Sequence, residues 1–194
     1  ASGPASGSID VSEFRGCENL KYVTAANPSL KITGGEVDTS YTFDSFKEDV
    51  PAEFYLESVD SSQFHTCATN NYMAFSYLNS DGTKQNLYEL TVQETSGKKA
   101  VYRVNSSNQL VYCEFDSGLE TVTMPDTVGP YQITVIGSGI FRNNCYLRRI
   151  TIPSSITTIE DSAFKGCHNL KDVIFKEPVN ITSIGTDAFK TQEV

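Results

Sequence analysis

Apolar positions return along the last third of the chain at a nearly constant interval. Ile133, Ile136, Phe141, Leu147 and Ile150 are followed 23 residues later by Ile156, Ile159, Phe164, Leu170 and Val173. Ile181, Ile184 and Phe189 follow at 25, the extra residues falling in Lys176–Asn180, a Pro-containing loop where insertion is tolerated. Upstream, Leu119, Val122, Met124 and Pro125 precede Leu147, Ile150, Ile152 and Pro153 by 28, with the excess around Gly129 and Pro130. A unit this short cannot bury its apolar side alone, so successive units must stack and share a core. In Leu147-Arg-Arg-Ile150-Thr-Ile152-Pro153 the alternation predicts a strand that Pro153 ends, with Arg149 and Thr151 facing outward. Ile156-Thr-Thr-Ile159 predicts a second short extended edge. Glu160–Lys165 reads as a helical turn that inserts Phe164, and Gly166 as its left-handed exit.

These units resemble the BspA-like leucine-rich repeat family, whose unit reads roughly Ile-Gly-x-x-Ala-Phe-x-Gly-Cys-x-x-Leu-x-x-Ile-x-Ile-Pro. The closest copy is Ile159-Glu-Asp-Ser-Ala163-Phe164-Lys-Gly166-Cys167-His-Asn169-Leu170-Lys-Asp-Val173. In the copy beginning Ile136-Gly137, Ile140 replaces Ala, Asn143 replaces Gly and Cys145 is shifted by one; the copy Ile184-Gly185-Thr-Asp-Ala188-Phe189 stops before its Cys and Leu. A further copy stands far upstream as Phe14-Arg-Gly16-Cys17-Glu-Asn19-Leu20-Lys-Tyr-Val23. The resemblance covers residues 9–23 and 117–190, about half the chain. It implies a bacterial or protist surface or secreted protein, extracellular or held at the cell surface, and adhesion to host matrix proteins or to other cells.

Residues 24–116 lack the period. Their predicted elements are strands, Glu53–Val59, Tyr72–Leu78, Leu87–Gln93, Lys99–Val104 and Gln109–Phe115, the later ones separated by Asn79-Ser-Asp81-Gly82, Ser96-Gly97 and Asn105-Ser-Ser-Asn108. An antiparallel meander is the expected arrangement. The stretch is either a β-rich insertion between the first repeat and the others or a small β subdomain preceding a short array. The expected fold is therefore mainly β: a flexible segment 1–8, a first repeat 9–23, a β-rich part 24–116, and a leucine-rich repeat solenoid 117–194 whose last unit is truncated.

Charge sharpens this division. Residues 1–116 hold 8 basic and 16 acidic side chains, giving −8, and 117–194 hold 7 and 8, giving −1. The total of −9 over 194 residues disfavours nucleic acid and anionic membrane as partners. No apolar run approaches the roughly 20 residues of a membrane span. Ala1–Ser8 has neither a basic start nor an apolar stretch, so no signal peptide is expected within it.

Candidate chemistry is sparse. With only two histidines, imidazole-based triads and metal clusters are heavily constrained. His65 and Cys67 would share a strand face, which makes a Cys–His pair conceivable, but no orienting group or oxyanion site accompanies it. His168 reads as a surface residue. Of the five cysteines, Cys17, Cys145 and Cys167 hold near-equivalent repeat positions and read as buried, inert thiols. Cys67 and Cys113 would staple the β-rich part if they join in an oxidising compartment. Gly137-Ser-Gly139 lacks the third glycine of a dinucleotide fingerprint, Arg142 standing there. Asp38, Asp44, Glu48, Asp49, Glu53, Glu57 and Asp60 show no EF-hand spacing and read as a solvated acidic face. Asn105-Ser-Ser107 and Asn180-Ile-Thr182 fit glycosylation sequons.

The expected function is binding, not catalysis, with no cofactor and no metal. Stacked units form a sheet whose outward positions Thr121, Thr123, Arg149, Thr151, Asp172 and Ile174 are the candidate face for a protein partner, a host matrix or cell-surface protein among them. Arg149 and Asp172, one repeat apart, are placed to pair across strands. The alternative is a carbohydrate-recognition module working through the β-rich part of a longer surface protein or enzyme, with a glycan as partner; Tyr72, Tyr77, Tyr88, Tyr102 and Tyr112, on predicted strands, read first as ordinary sheet packing and second as a tyrosine-lined binding patch. The third is an enzyme using Cys67 and His65.

Overall fold

The computed structural model describes residues 8–10, 22–25, 31–33, 55–59, 65, 68, 69 and 74–191. The chain divides into two compact units, Ala1–Leu90 and Thr91–Val194. The repeat copy expected at 9–23 lies mostly outside the described residues, as do Tyr72, Cys17 and Cys67.

The first unit holds β1 (Ser8–Asp10), β2 (Tyr22–Ala25), β3 (Lys31–Thr33), β4 (Tyr55–Val59), β5 (Ala74–Leu78) and the start of β6 (Lys84–Gln93). β1 pairs with β3 in parallel, and β2, β4 and β5 lie side by side, also in parallel. β5 and β6 form an antiparallel pair as the meander predicts, and so do the later strands Lys99–Asn105 and Gln109–Phe115. The interval between β4 and β5 is long enough for a parallel connection, so these two strands pair in parallel where the meander expects an antiparallel pair. The hairpin after β5 follows its turn signal: Asn79 donates to the Thr83 carbonyl at 2.8 Å, and the Asp81 carboxylate accepts the Thr83 N–H at 2.9 Å. Every residue of β5 is buried, as are Tyr55, Leu56, Glu57 and Ser58 of β4. At β4 and β5 the sheet is therefore covered on both faces.

The second unit holds β7 (Lys99–Asn105), β8 (Gln109–Phe115), β9 (Thr121–Thr123), β10 (Thr127–Val128), β11 (Tyr131–Gln132), β12 (Val135–Ile136), β13 (Arg149–Ile152), β14 (Thr158–Ile159), β15 (Asp172–Phe175) and β16 (Ser183–Ile184). It is a mainly β solenoid. One limb of each coil adds a strand to the parallel series β8, β12, β14, β16, aligning Leu110, Ile136, Ile159 and Ile184 in one column. The other limb adds a strand to the parallel sheet β9, β13, β15. The excess residues around Gly129 and Pro130 form the small hairpin β10–β11, so the coil spacing is kept around them. β8 serves twice: it pairs antiparallel with β7 and, through Gln109 and Leu110, in parallel with β12.

The shared interior is continuous. Leu119, Val122, Met124, Ile133, Ile136, Leu147, Ile150, Ile152, Ile156, Ile159 and Phe164 are each at most 1% exposed. Phe115, Phe141, Phe164 and Phe189 stack as a ladder with centroids 5.7, 4.7 and 4.9 Å apart. The polar backbone is satisfied between coils: Phe141 donates to the Ala163 carbonyl and Phe164 to that of Ala188, at 2.8 and 2.7 Å. Thr157 and Thr182 turn their hydroxyls onto the carbonyls of Thr134 and Thr157, which explains a threonine before each strand.

The segment Glu160–Lys165 differs from the expected helical turn. Ser162 has φ +57°, and Gly139 and Asp187 at the equivalent places have +67° and +57°. A left-handed residue in the middle breaks helical propagation and leaves a tight chain of turns that still delivers Phe164 to the core. Gly166 is left-handed as expected, at φ +77°, and its missing side chain makes room for Asn143 Oδ1.

Candidate interaction surface

The sheet β9–β13–β15 gathers all six expected face residues. Its register sets Thr121, Arg149 and Asp172 in one row and Thr123, Thr151 and Ile174 in the next. Alternation turns Val122, Ile150 and Ile152 into the core while these rows face outward; Thr151 is half-buried and the other five are exposed. Arg149 reaches Asp172 Oδ2 through Nε at 2.9 Å and Nη2 at 2.6 Å. With side chains 53% and 47% exposed, the pair lies in water and fixes the guanidinium plane more than it stabilises the fold. Ile174, 44% exposed, adds an apolar patch on the outer strand. Arg148 and Glu120 form a second, looser pair at 3.4 Å.

Glu94 closes the other edge of this sheet. Its Oε1 accepts the Thr123 N–H at 3.1 Å, covering a ladder donor at the border of β9. Burial pushes the Glu94 carboxyl above the usual carboxylate range, and the Thr123 N–H offsets this in part. No sequence pattern marks Glu94, because the contact joins residues far apart in the chain.

The remaining candidates scatter. Cys167 is buried as expected, its Sγ donating to the Phe141 carbonyl at 2.9 Å, and burial pushes its thiol up. Cys145 is exposed, which corrects the expectation of a buried thiol: the one-residue shift in its copy turns the side chain out of the coil. Cys113 is a free thiol whose pKa burial pushes well up. His168 is exposed, as expected. His65 turns to Glu89, its Nε2 2.8 Å from Oε1, and stands against the Phe75 ring. Among the described residues no group of three or more His, Cys, Asp or Glu could hold a metal ion, and no helix is long and apolar enough to cross a membrane.

The tyrosine-lined patch does not form among the described residues. Tyr77, Tyr88 and Tyr102 are at most 4% exposed because their strands turn them inward, whereas Tyr112, 37% exposed, lies under Arg103 and donates to Glu114 at 2.6 Å. Glu57, expected on a solvated acidic face, is only 2% exposed. It accepts from Thr24 Oγ1 at 2.9 Å and Ser76 Oγ at 3.2 Å and pairs with Lys84 at 2.9 Å. Glu89 is buried likewise and accepts from Tyr77 at 2.5 Å. Both carboxylates lie on strands where a sequence reading expects apolar side chains, and their partners come from distant parts of the chain.

Residues 104–194 match the BspA type Leucine rich repeat region in 6 copies. Among solved structures, a leucine rich cell surface protein from Faecalibacterium prausnitzii A2-165 is 27% identical with a TM-score of 0.39, over 52% of this chain and 27% of that one. A leucine-rich repeat protein from Bacteroides capillosus ATCC 29799 is 25% identical with a TM-score of 0.38, over 50% of this chain and 71% of that one. The pneumococcal vaccine antigen PcpA is 20% identical with a TM-score of 0.33, over 51% of this chain and 29% of that one. The chain thus spans about a quarter of the first of these. No curated protein matches it.

Proposed function

Since residues 104–194 belong to the BspA-type leucine-rich repeats, we propose that the protein is a non-enzymatic interaction module, displayed outside the cell or on its surface, that engages a protein partner through the sheet β9–β13–β15. The carrying observation is the alignment of Thr121, Arg149 and Asp172 beside Thr123, Thr151 and Ile174 on one open face. Hydroxyls, an oriented guanidinium–carboxylate pair and an exposed isoleucine sit within two neighbouring rows. Such a mixture suits a protein surface, which offers both backbone polar groups and apolar side chains. The chain's overall charge of −9 disfavours nucleic acid as a partner. The partner class that fits best is a host matrix or cell-surface protein, and adhesion is the activity that follows.

The test is binding of the protein to immobilised matrix proteins and to intact cells, comparing wild type with Arg149→Glu, Asp172→Arg and Ile174→Arg. Binding should fall at least about tenfold, the equivalent of ~1.4 kcal/mol, while stability changes by less than about 1 kcal/mol. Binding that survives all three changes and is lost only on altering residues 24–116 would refute the sheet face.

A further inference from the structure

The two turns that lead into β13 and β15 differ in charge from the rest of the chain. Residues 142–148 (RNNCYLR) and 165–171 (KGCHNLK) carry Arg142, Arg148, Lys165 and Lys171 and no carboxylate, in a protein with 24 acidic against 15 basic side chains. Stacking makes the turns one surface. Asn143 donates to the Lys165 carbonyl at 2.8 Å, Lys171 to that of Arg148 at 2.9 Å, and Asn169 Nδ2 to that of Cys145 at 2.5 Å. Equivalent positions of the two coils then pair their cations: Arg142 with Lys165, each following a ladder phenylalanine, and Arg148 with Lys171, each preceding a strand.

Carboxylates reach this ridge from its flanks. Glu120 lies 3.4 Å from Arg148, and Asp187 lies 2.7 Å from Lys165. Arg142 and Lys171 are exposed and have no carboxylate partner among the described residues. Along the same turns Tyr146 is 49% exposed and His168 is exposed. Asn144 Oδ1 accepts the N–H groups of Tyr146 and Leu147 at 3.0 and 2.9 Å, so the tyrosine stands on a loop fixed by its own hydrogen bonds. An aromatic ring held in this way loses little freedom on binding.

We propose that this ridge binds an anionic polysaccharide, with sulfate or carboxylate groups against Arg142 and Lys171 and a sugar ring against Tyr146. A linear polymer that repeats its charges suits cations that repeat from coil to coil, and a surface of one sign raises its local concentration. An acidic peptide fits less well. Peptides are recognised through a sheet edge, a groove or a pocket, whereas the turn backbone is bonded between coils and Tyr146 is the one large apolar side chain exposed on either turn. Single-stranded nucleic acid stacks successive bases on several rings, and this surface offers one. The ridge precedes the strands and leaves the six positions of the sheet face free.

The experiment measures binding of the whole chain to immobilised heparin and to hyaluronan, which carries carboxylates alone, with neutral dextran as the blank. Binding to at least one of the two polyanions, weakening as salt is raised, is expected. Arg142→Glu combined with Lys171→Glu should weaken it at least about tenfold. Tyr146→Ala, which leaves the charge unchanged, should weaken it several-fold. Lys171→Glu and Lys176→Glu alter the net charge equally, and Lys176 is exposed beyond β15, so the first should weaken binding and the second should not. All these side chains are exposed, and circular dichroism should show the fold intact. Failure of the wild type to bind either polyanion overturns the proposal, as does an equal loss from Lys176→Glu or wild-type affinity in Tyr146→Ala. Full competition by a single-stranded oligonucleotide also overturns it and names nucleic acid as the occupant.

Discussion

The two units bury their strands by different means. In the solenoid the interior is aliphatic and aromatic, and inter-coil hydrogen bonds take up the backbone groups. In the first unit the buried strands carry Glu57, Ser58, Ser76 and Glu89, with tyrosines packed among them. The difference teaches where each region is vulnerable. A repeat stack fails through lost packing, because its polar groups are satisfied by backbone geometry that a side-chain change barely disturbs. A sheet with buried carboxylates fails when a partner is removed, because the remaining group stays buried without compensation.

Phe164→Ala should produce the largest effect. The ring is 1% exposed between Phe141 and Phe189, so its removal opens a cavity and costs about 3–5 kcal/mol, read from urea denaturation. Survival of the stack at wild-type stability would show that the ladder is not its support. Next, Glu57→Ala should cost about 1–3 kcal/mol by leaving the Ser76 and Thr24 hydroxyls and the Lys84 ammonium without their acceptor. Glu57→Gln, which keeps an acceptor, should recover part of that loss. A smaller gain is expected at the left-handed turn: Ser162→Gly relieves φ +57° and should stabilise by about 0.5–1 kcal/mol, whereas Gly166→Ala, at φ +77° against Asn143 Oδ1, should destabilise.

Glu94 supplies the pH-dependent contrast. Its folded pKa is raised by burial, so its contribution to stability is fully present below the unfolded carboxylate value and is lost as pH rises through the folded value. Glu94→Gln keeps an acceptor for the Thr123 N–H and should flatten the fall in stability between acidic and neutral pH, measured by denaturation at a series of pH values. Asp187 runs the other way. Its hydrogen bond from Lys165 holds the carboxyl below its usual range, so what it contributes is present above the unfolded value and lost as pH falls through the folded one.

Much of the solenoid was legible because its signal is translational. One offset relates Ile133, Ile136, Phe141, Leu147 and Ile150 to the next unit, and parallel stacking turns that offset directly into register. The pairing of Arg149 with Asp172 follows from the same arithmetic. Leu110 and Phe115 keep the five-residue spacing of Ile136 to Phe141, a clue that β8 carries the first rung, but the residues around them lack the repeat's glycine and alanine. Cys145 shows the limit from the other side: a shift of one residue reverses which way a side chain faces.

The chain order of apolar residues thus determined the coil, its period, the ring ladder and the outward rows, because each depends on contacts between equivalent positions at a fixed separation. Only the tertiary structure decided the parallel crossover of β4 and β5, the carboxylates buried at Glu57 and Glu89, and the cover that Glu94 places over β9. These depend on groups brought together from unrelated places in the chain, and a carboxylate's burial is settled by the partners that surround it, none of which its sequence neighbours reveal.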